Sequence, residues 1–436
     1  MLDIRLLREN PDLVRRSLAL RHTEAPLDQA LATDSERLTV LQEVEALRAE
    51  KNAISKEIGE LSRAMKQEDT KEAKHAEHRR SDLVARSSFI GEQLDALEAK
   101  LTALDETLRT ALLEIPNIVS DTAPEGPDES GNVVRRQSGE PEPLGFEAQP
   151  HWDLGESLGI IDFERGVKLA GSRFYVLRGA GARLERALIS FMLDYHTARG
   201  YTEVYPPAMI KEENLWSGGW LPKFGENMFH DAEDDYWWIP TAEVSLTNMH
   251  KDEILEPGQI PINYVAYTPC FRREKFSAGR DVRGIKRGFQ FDKVEVYRFA
   301  EPDKSYEAIE EMTAQCAGVL TELGLTSRIV ELCTGDLGFN AAKTYDIEVW
   351  APGSDEWLEC SSVSNCTDFQ ARRANIRFRA EKGGKPEFPH TLNGSGLAIP
   401  RTLIAVLENY QQADGSIVVP EALHPYMGEI ERITAG

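Results

Sequence analysis

Two runs of mostly apolar residues, spaced alternately by four and three positions, most constrain what this chain can fold into. Such heptad spacing places one apolar stripe along a helix and is typical of a coiled coil. The first run is Val40, Val44, Leu47, Lys51, Ile54, Ile58, Leu61 and Met65, and the second is Leu83, Ser87, Ile90, Leu94, Leu97, Leu101, Leu104 and Leu108. Because one chain contains both runs, they predict an antiparallel helical hairpin over about residues 35–112, and a coil between separate chains is the less favoured alternative.

Basic residues are concentrated where the two predicted helices join, around residues 66–80, although the whole chain has a net charge of −23. Such an acidic protein would repel phosphate backbones in general, so any contact with RNA must be locally basic. A charge run is most often a solvated face, but a rigid arm with a basic end would also suit an extended RNA. The candidate RNA-binding residues are Arg63, Lys66, Lys71, Lys74, Arg79 and Arg80.

The remaining composition divides the chain into three parts. Residues 1–115 form the predicted N-terminal helical domain, and residues 116–150, rich in Pro, Gly, Asp, Glu and Ser, are predicted to be a linker. Residues 151–436 mix strand-like and helical periods. The predicted fold class is therefore α+β, with a coiled-coil arm followed by a large domain built on an antiparallel sheet.

Several protein classes are disfavoured by composition. The five cysteines form an odd set without a C-x-x-C pair, which disfavours a disulfide framework or a zinc ribbon. The N-terminus lacks the basic and apolar segments of an export signal, and no window approaches the roughly 18 apolar residues of a membrane span. We therefore expect a soluble, cytoplasmic protein.

The stretch from Pro269 to Glu295, PCFRREKFSAGRDVRGIKRGFQFDKVE, carries the strongest chemical signal. It begins as a strand, continues as a basic loop with several glycines, and returns with alternating apolar residues. A guanidinium group such as that of Arg272 can hold two oxygens of one phosphate, and an aromatic ring such as that of Phe291 can carry a flat base. The pattern therefore favours a nucleotide site, although a hairpin with solvated arginines would be equally plausible for this stretch alone.

This stretch resembles motif 2 of the class II aminoacyl-tRNA synthetases. The segment GYTEVYPP, residues 200–207, resembles motif 1, and NGSGLAIPRTL, residues 393–403, resembles motif 3. Two short segments, Thr241-Ala242-Glu243 and Glu359-Cys360-Ser361-Ser362, also match in the family's order. Over nearly its full length the chain is similar to the seryl-tRNA synthetase family, which implies a class II catalytic domain at residues 151–436.

The resemblance implies an ATP site. Arg272 would hold the α-phosphate, Phe291 would stack on adenine, the backbone near Gly288 would touch the base, and Arg401 would cover the other face and meet the γ-phosphate. The implied ATP-binding set is Arg272, Arg273, Glu274, Gly288, Phe291, Glu359, Cys360, Ser361, Ser362 and Arg401. Of these, Arg272, Arg401 and Glu359 would be catalytic, and Glu359 and Ser362 would supply hard oxygen ligands for Mg²⁺.

The resemblance also implies an L-serine pocket, formed by Thr241, Ala242, Glu243, Glu295, Asn393 and Ser395. A carboxylate and small hydroxyl groups can pair with the ammonium and hydroxyl groups of serine, so alanine would leave a buried polar group unpaired. Threonine would be excluded only by steric contact with its added methyl group, worth about 1–3 kcal/mol.

As partners, the resemblance implies a homodimer formed through motif 1, and the serine tRNA held by the coiled-coil arm. The selenocysteine tRNA would be an additional substrate. The chain departs from the family at Lys275-Phe276, where small residues are usual, and at Gly288, where an apolar residue is common. These departures bear on the motif 2 loop and its tRNA contacts.

Three alternatives remain open at this stage. A ligase of the same fold could load a carrier protein, but the complete basic arm disfavours this. A non-catalytic RNA-binding paralogue would not need the intact Arg272, Glu274, Glu295, Glu359 and Arg401. A coiled-coil scaffold would leave about three hundred residues unexplained.

Overall fold

The computed structural model describes residues 1–65, 71–275 and 283–435, and the side chains of residues 71–73 are not among those described. Contacts divide the chain into two compact units. The smaller comprises Leu2–Arg15 and Ala25–Ile115, and the larger comprises Met1, Arg16–Glu24 and residues 116 to the C-terminus.

The helices of the described residues are α1 (Ile4–Glu9), α2 (Pro11–Leu20), α3 (Leu27–Ala64), α4 (Lys71–Glu114), α5 (His151–Ser157), α6 (Phe163–Ala170), α7 (Gly179–Thr197), α8 (Glu212–Ser217), α9 (Ala242–Asn248), α10 (Ser305–Glu322), α11 (Phe369–Arg373), α12 (Ile399–Asn409) and α13 (His424–Met427). The strands are β1 (Val133–Ser138), β2 (Ile161–Asp162), β3 (Val176–Leu177), β4 (Thr202–Glu203), β5 (Met209–Lys211), β6 (His230–Asp231), β7 (Tyr236–Trp238), β8 (Ile254–Leu255), β9 (Ile262–Phe271), β10 (Gln290–Ala300), β11 (Ser327–Glu331), β12 (Lys343–Ala351), β13 (Glu356–Asn365), β14 (Arg377–Phe378), β15 (His390–Ala398), β16 (Ile417–Val418) and β17 (Arg432–Ile433).

The two long helices of the smaller unit pair as the heptad pattern predicts. Apolar seam residues from both helices form one cluster, whose buried members are Val40, Val44, Ile54, Ile90 and Leu94. Ion pairs flank this seam, including those that join Glu50 with Arg86, Glu57 with Arg79, and Glu36 with Lys100. Residue numbers rise along α3 as they fall along α4 in these pairs, so the helices are antiparallel.

The larger unit is built on a sheet of eight strands, among the described residues, in the order β1-β11-β12-β13-β15-β10-β9-β4. All neighbouring pairs are antiparallel except β4 with β9. Helices α7, α10 and α12 bury their apolar residues in one large core with the sheet strands, including Leu188, Met312 and Ile404. The α+β class and the antiparallel sheet are therefore confirmed.

The segment 116–150 differs from the predicted linker. It contributes β1, which pairs with β11 along the edge of the sheet, from Val133 opposite Glu331 to Ser138 opposite Ser327. Arg135 also donates to the buried carboxylate of Glu331 at 2.5 Å. Main-chain hydrogen bonds and an ion pair hold β1, so the strand does not depend on burying apolar side chains. Its residues are mostly exposed, and its sequence therefore lacks the apolar alternation that would have indicated a strand.

The short stretch Arg16–Glu24 belongs to the larger unit, although the sequence placed it in the helical domain. Its buried Arg21 donates to the carbonyl oxygen of Asn117 at 2.9 Å and to that of Leu337 at 3.2 Å. Burial lowers the pKa of the Arg21 guanidinium to about 10. A buried guanidinium group needs hydrogen-bond acceptors, and those of Arg21 are carbonyl oxygens of the larger unit. These bonds explain why Arg16–Glu24 groups with the larger unit.

Candidate active site

A cavity of about 280 Å³ opens on the face of the sheet where β9, β10, β13 and β15 lie side by side. The start of α12 and the residues just before α9 complete its wall. Its lining residues are Thr241, Glu243, Arg272, Glu274, Lys286, Arg287, Gly288, Phe291, Lys293, Glu295, Glu359, Cys360, Ser362, Ser364, Asn393, Ser395, Ala398, Pro400 and Arg401. Most of the residues predicted for the ATP and serine sites are therefore in one cavity.

One end of the cavity is a buried network around Thr241. The Thr241 hydroxyl donates to Oε2 of Glu295 at 2.9 Å and accepts a bond from Nζ of Lys293 at 2.8 Å. Lys293 also forms an ion pair with Glu295. The alternation of β10 places Phe291, Lys293 and Glu295 on one face of the strand, so this network is fixed by the backbone.

Glu243 lies beside this network in the first turn of α9. Its Oε1 accepts bonds from the amides of Gln370 at 2.6 Å and of Asn393 at 3.3 Å. Burial, together with the negative charge of Glu295, raises the pKa of Glu243 to about 7. Two buried carboxylates beside Lys293 give this end of the cavity an affinity for a further cation.

The other end presents guanidinium groups and an aromatic ring. Arg272 is anchored by a bond from Nε to the carbonyl oxygen of Pro240 at 3.2 Å, and its guanidinium lies 5.2 Å from the Phe291 ring centre. Arg287 pairs with Glu274 at 3.4 Å. The arrangement can bind an anion beside a flat ring.

Gly288 explains one departure from the family pattern. A Cβ at this position would lie 2.8 Å from the carbonyl oxygen of Gln290 and 3.3 Å from that of Arg173. The backbone of Gly288 is therefore packed closely between two main-chain segments, and a larger side chain would require them to move.

Arg401 stands in the first turn of α12 and reaches toward β13. It donates to the carbonyl oxygen of Glu359 and forms an ion pair with its carboxylate at 3.2 Å. Because the N-terminal end of a helix favours negative charge, Arg401 and α12 both favour an anion in the cavity.

A β-bulge brings Glu359 and Ser362 to the same face of β13. Strict alternation would place residues three apart on opposite faces, but the pairing of β12 with β13 shifts between Ile347 and Glu348, leaving Cys360 as the extra residue. Asp346 of β12 lies opposite Ser362, and the buried Oδ1 of Asp346 has no hydrogen-bond partner among the described residues. Burial and the charge of Glu359 raise the pKa of Asp346 well above its usual value.

Three predicted site residues lie outside the lining of the cavity. Ala242 is buried in a core cluster. Arg273 donates from Nε to the carbonyl oxygen of Met228 at 2.7 Å, with its guanidinium 4.6 Å from the Phe229 ring centre. Ser361 donates to the carbonyl oxygen of Ser395 at 2.6 Å, which ties β13 to β15.

Three charged residues that line the cavity, Lys293, Lys286 and Arg287, were not predicted from the sequence. Strand alternation was the available signal for Lys293, since it lies between Phe291 and Glu295 on the same face. The two loop residues carried no such periodic signal, because the chain enters β10 from an irregular segment.

The predicted RNA-binding residues at the tip of the arm are only partly described. Lys66 and the side chain of Lys71 lie outside the described residues. In the motif 2 loop, Phe276 also lies outside them. Lys74, Arg79 and Arg80 are exposed on α4. Arg63 donates to the carbonyl oxygen of Gly59 at 3.1 Å within α3.

Comparison with known proteins first defines the class. Residues 226–410 match the family model of the tRNA synthetase class II core domain (G, H, P, S and T). This range contains the four strands that form the cavity. The fold is therefore that of a class II aminoacyl-tRNA synthetase, as the three motifs predicted.

Further comparisons define the family. Residues 1–119 match the model of the seryl-tRNA synthetase N-terminal domain. The chain is 57% identical to the serine–tRNA ligase of Roseiflexus sp. over 434 residues, which cover 99% of both proteins. The solved seryl-tRNA synthetase from Pyrococcus horikoshii complexed with ATP matches with a TM-score of 0.90 and 39% identity over 100% of both chains. The cytoplasmic serine–tRNA ligase from Naegleria fowleri in complex with AMP matches with a TM-score of 0.87 and 30% identity, covering 100% of this chain and 99% of that one.

The chain belongs to the seryl-tRNA synthetase family. It is an ATP-dependent ligase that attaches serine to tRNA, which confirms the predicted function and removes the non-catalytic and scaffold alternatives. In the part of the chain that the structure describes, no helix combines the length and apolarity needed to cross a membrane.

Proposed function

We propose that the cavity binds L-serine at the Glu243 end and ATP at the Arg272 end, and joins them as seryl-adenylate. The observation that carries this assignment is the charge layout. Buried carboxylates line one end, whereas Arg272 extends from the end of β9 and Arg401 from the start of α12 beside β13. The ammonium group of an amino acid would face the carboxylates, and the phosphate groups of a nucleoside triphosphate would face the arginines.

Glu243 and Glu295 would receive the serine ammonium group, and Thr241, Asn393 and Ser395 surround the space for its hydroxyl. The bond from Asn393 to Glu243 at 3.3 Å already connects the two parts of this pocket. A ligand without the hydroxyl would leave a buried polar group unpaired, which typically costs about 1–3 kcal/mol. This accounts for a preference for serine over alanine.

Arg272 would bind the α-phosphate while Phe291 stacks on adenine, and Arg401 would hold the distal phosphate. The carboxylate of serine then attacks the α-phosphorus, a bond forms between its oxygen and phosphorus, and pyrophosphate leaves with the electrons of the broken bond. A carboxylate needs no general base at neutral pH. The two guanidinium groups stabilise the charge that accumulates on the phosphoryl oxygens.

Glu359 and Ser362 fit a magnesium ion, since both present hard oxygen atoms on one face of β13. Among the described residues there is no cluster of three His, Cys, Asp or Glu side chains that could hold a metal. Two protein ligands nevertheless suit Mg²⁺, which usually keeps waters and phosphate oxygens as its other ligands. When bound, the ion would neutralise phosphate charge, and Glu359 would orient it.

In the second step, a terminal ribose hydroxyl of the serine tRNA attacks the carbonyl carbon of the adenylate, and AMP leaves. We assign the contact with the body of the tRNA to the basic end of the α3–α4 hairpin, through Lys74, Arg79 and Arg80, and to Arg63, Lys66 and Lys71. The selenocysteine tRNA would be a second substrate, tested by charging it in parallel with the serine tRNA.

The homodimer would form at the edge of the sheet beside β4. There Tyr205 of the motif 1 segment is 87% exposed, and two further apolar side chains outside that segment, Met209 and Met249, are 50% and 41% exposed. These residues adjoin a mostly apolar groove that includes Val204 and Pro207. Exposed apolar surface of this kind favours a second copy of the chain. A cytoplasmic location is part of the same proposal, since this is where translation uses the product.

The test is serine-dependent exchange of pyrophosphate into ATP by two neighbouring arginine variants. Arg272→Ala is expected to lower kcat/KM about 100- to 1,000-fold, the usual effect of removing one group that stabilises developing charge. Arg273→Ala, which removes an arginine directed at Met228 instead of the cavity, is expected to lower it less than about tenfold. Equal losses in the two variants would contradict the assignment of Arg272 to the phosphate.

A further inference from the structure

The segment that follows the motif 2 loop is anchored at a point away from the cavity. Lys286, Arg287 and Gly288 line the cavity, whereas Ile285, directly before them, is buried in the main core. The backbone N–H of Ile285 donates to Nε2 of His151 at 3.2 Å. His151 is the first residue of α5 and is 2% exposed.

The contacts of His151 fix its protonation. An amide N–H can only donate, so Nε2 must be the unprotonated nitrogen, and Nδ1 must carry the proton. Nδ1 lies 2.9 Å from Oε1 of Glu408, which is completely buried near the C-terminal end of α12. A neutral imidazole is therefore held between one acceptor and one donor, in a single orientation.

Glu408 is itself fixed by other donors. Its oxygens also accept bonds from the backbone N–H of His151 at 2.9 Å, and from the N–H and hydroxyl of Ser354 at 2.9 and 2.8 Å. The carboxylate therefore connects α5, the turn between β12 and β13, and α12. Because the same helix carries Arg401 at its start, this connection links motif 3 with the end of motif 2.

The neighbours of Ile285 support the same anchorage. A Cβ added to Gly284 would lie 2.0 Å from Nε2 of His151, and Gly284 has a φ of +77°. Arg283 lies with its guanidinium 4.8 Å from the Trp152 ring centre and pairs with Asp153 at 3.5 Å. Three consecutive residues, 283–285, thus contact the first turn of α5.

We propose that His151 is a positioning residue for ATP binding. His151 accepts a hydrogen bond from the Ile285 N–H and donates one to Glu408. These two bonds fix the position of the backbone from which Lys286, Arg287 and Gly288 line the cavity. This inference rests on the proposed assignment of that part of the cavity to ATP. It predicts that losing the Ile285 bond weakens ATP binding specifically, whereas losing the Glu408 bond does not.

Two variants of His151 separate these bonds. In His151→Asn the amide nitrogen can replace Nδ1 and donate to Glu408, but no atom reaches Ile285. In His151→Gln the longer side chain places its amide oxygen near the position of Nε2, where it can accept from Ile285, and Glu408 loses the side-chain donor. Each variant loses one buried hydrogen bond, so both should show similar falls in Tm.

The readout is the pair of KM values in serine-dependent pyrophosphate exchange. We expect His151→Asn to raise the KM for ATP about tenfold, as one unsatisfied buried N–H typically would, with the KM for serine within about twofold of wild type. His151→Gln should keep the KM for ATP within about threefold. Equal KM values for ATP in the two variants, or parallel rises for serine, would overturn the inference and leave His151 with a structural role alone.

Gly284→Ala provides an independent test if the His151 variants do not fold. Its methyl group would displace the segment from His151, so the KM for ATP should rise at least about fivefold. Gly258→Ala is the matched control, since Gly258 has a φ of +83° and no atom of the described residues lies within 4 Å of its added Cβ. An unchanged KM in Gly284→Ala, or equal rises in both variants, would also overturn the inference.

Failure of the ATP assignment itself would be recognised separately. In that case Arg272→Ala would leave the KM for ATP and kcat near their wild-type values. If Arg272→Ala is impaired while the His151 and Gly284 variants are not, the site assignment stands and only the positioning role is rejected.

Discussion

Glu243 is the residue whose protonation should most directly control serine binding. Its pKa is raised to about 7 by burial and by the charge of Glu295. In the proposed site the serine ammonium would pair with the ionised carboxylate, so binding should strengthen as the pH rises through about 7 and weaken below it. We predict that the KM for serine in pyrophosphate exchange falls by about threefold to tenfold between pH 6 and pH 8.

The control for this prediction is Glu243→Gln, which keeps the shape of the side chain and removes its charge. We expect this variant to bind serine more weakly at pH 8 and to lose most of the pH dependence. A wild-type KM that stays flat from pH 6 to pH 8 would show that Glu243 does not titrate in this range, or that the ammonium group lies elsewhere.

The residues of the cavity differ in how far the sequence could predict them. Arg272, Phe291, Glu295 and Arg401 were predicted from motif matches, and all four line the cavity. Lys293 was missed, although alternation along β10 placed it on the same face. Its network with Thr241 and Glu295 depends on a partner 52 residues away, which periodicity along one strand cannot reveal.

Among the structural elements, β13 shows how a local irregularity produces a site. The bulge at Cys360 turns Glu359 and Ser362 toward the same side, and simple alternation would have separated them. The segment ECSS was identified from its match to the family alone. Pairing registers depend on both strands, so the sequence of β13 by itself could not predict the bulge.

The α3–α4 hairpin is the element to which we assign tRNA recognition. Reversing two charges with Arg79→Glu and Arg80→Glu should raise the KM for serine tRNA about tenfold or more and reduce its salt dependence, because phosphate contacts release counterions. Pyrophosphate exchange needs no tRNA, so it should remain within about twofold of wild type. The measurement is aminoacylation at several salt concentrations.

The matched control reverses the charges of Lys382 and Lys385, which lie in the larger unit. Those changes should leave the KM for tRNA near its wild-type value. If the hairpin variant reduced exchange and aminoacylation equally, the division of labour between the hairpin and the cavity would be incorrect.

For the whole molecule, the predicted assembly is a homodimer. Tyr205→Glu would place a charge on the apolar surface beside β4. If a partner subunit covered this surface, burying the new carboxylate would cost several kcal/mol. We expect the wild-type chain to sediment as a dimer and the variant to shift toward the monomer. Leu169→Glu is the control, since Leu169 is 78% exposed on α6. A monomeric wild-type protein would contradict the proposal.

The sequence predicted the overall architecture well, because heptad spacing and motif order are long-range signals carried by many residues. It did not predict that Arg16–Glu24 groups with the larger unit, or that β1 joins the sheet. Arg21 is held by main-chain carbonyl oxygens, and β1 is held by the edge strand β11. Neither partner can be located from the local sequence, because the folding of the larger unit determines where these groups lie.

According to the proposed function, one cavity activates serine and no other amino acid. The most direct measurement is the exchange of pyrophosphate into ATP with each of the twenty amino acids, without tRNA, followed by charging of total tRNA. We predict exchange with serine, weak or no exchange with alanine and threonine, and transfer of serine to tRNA. Exchange with a different amino acid, or none with serine while the folded protein still binds tRNA, would contradict the account.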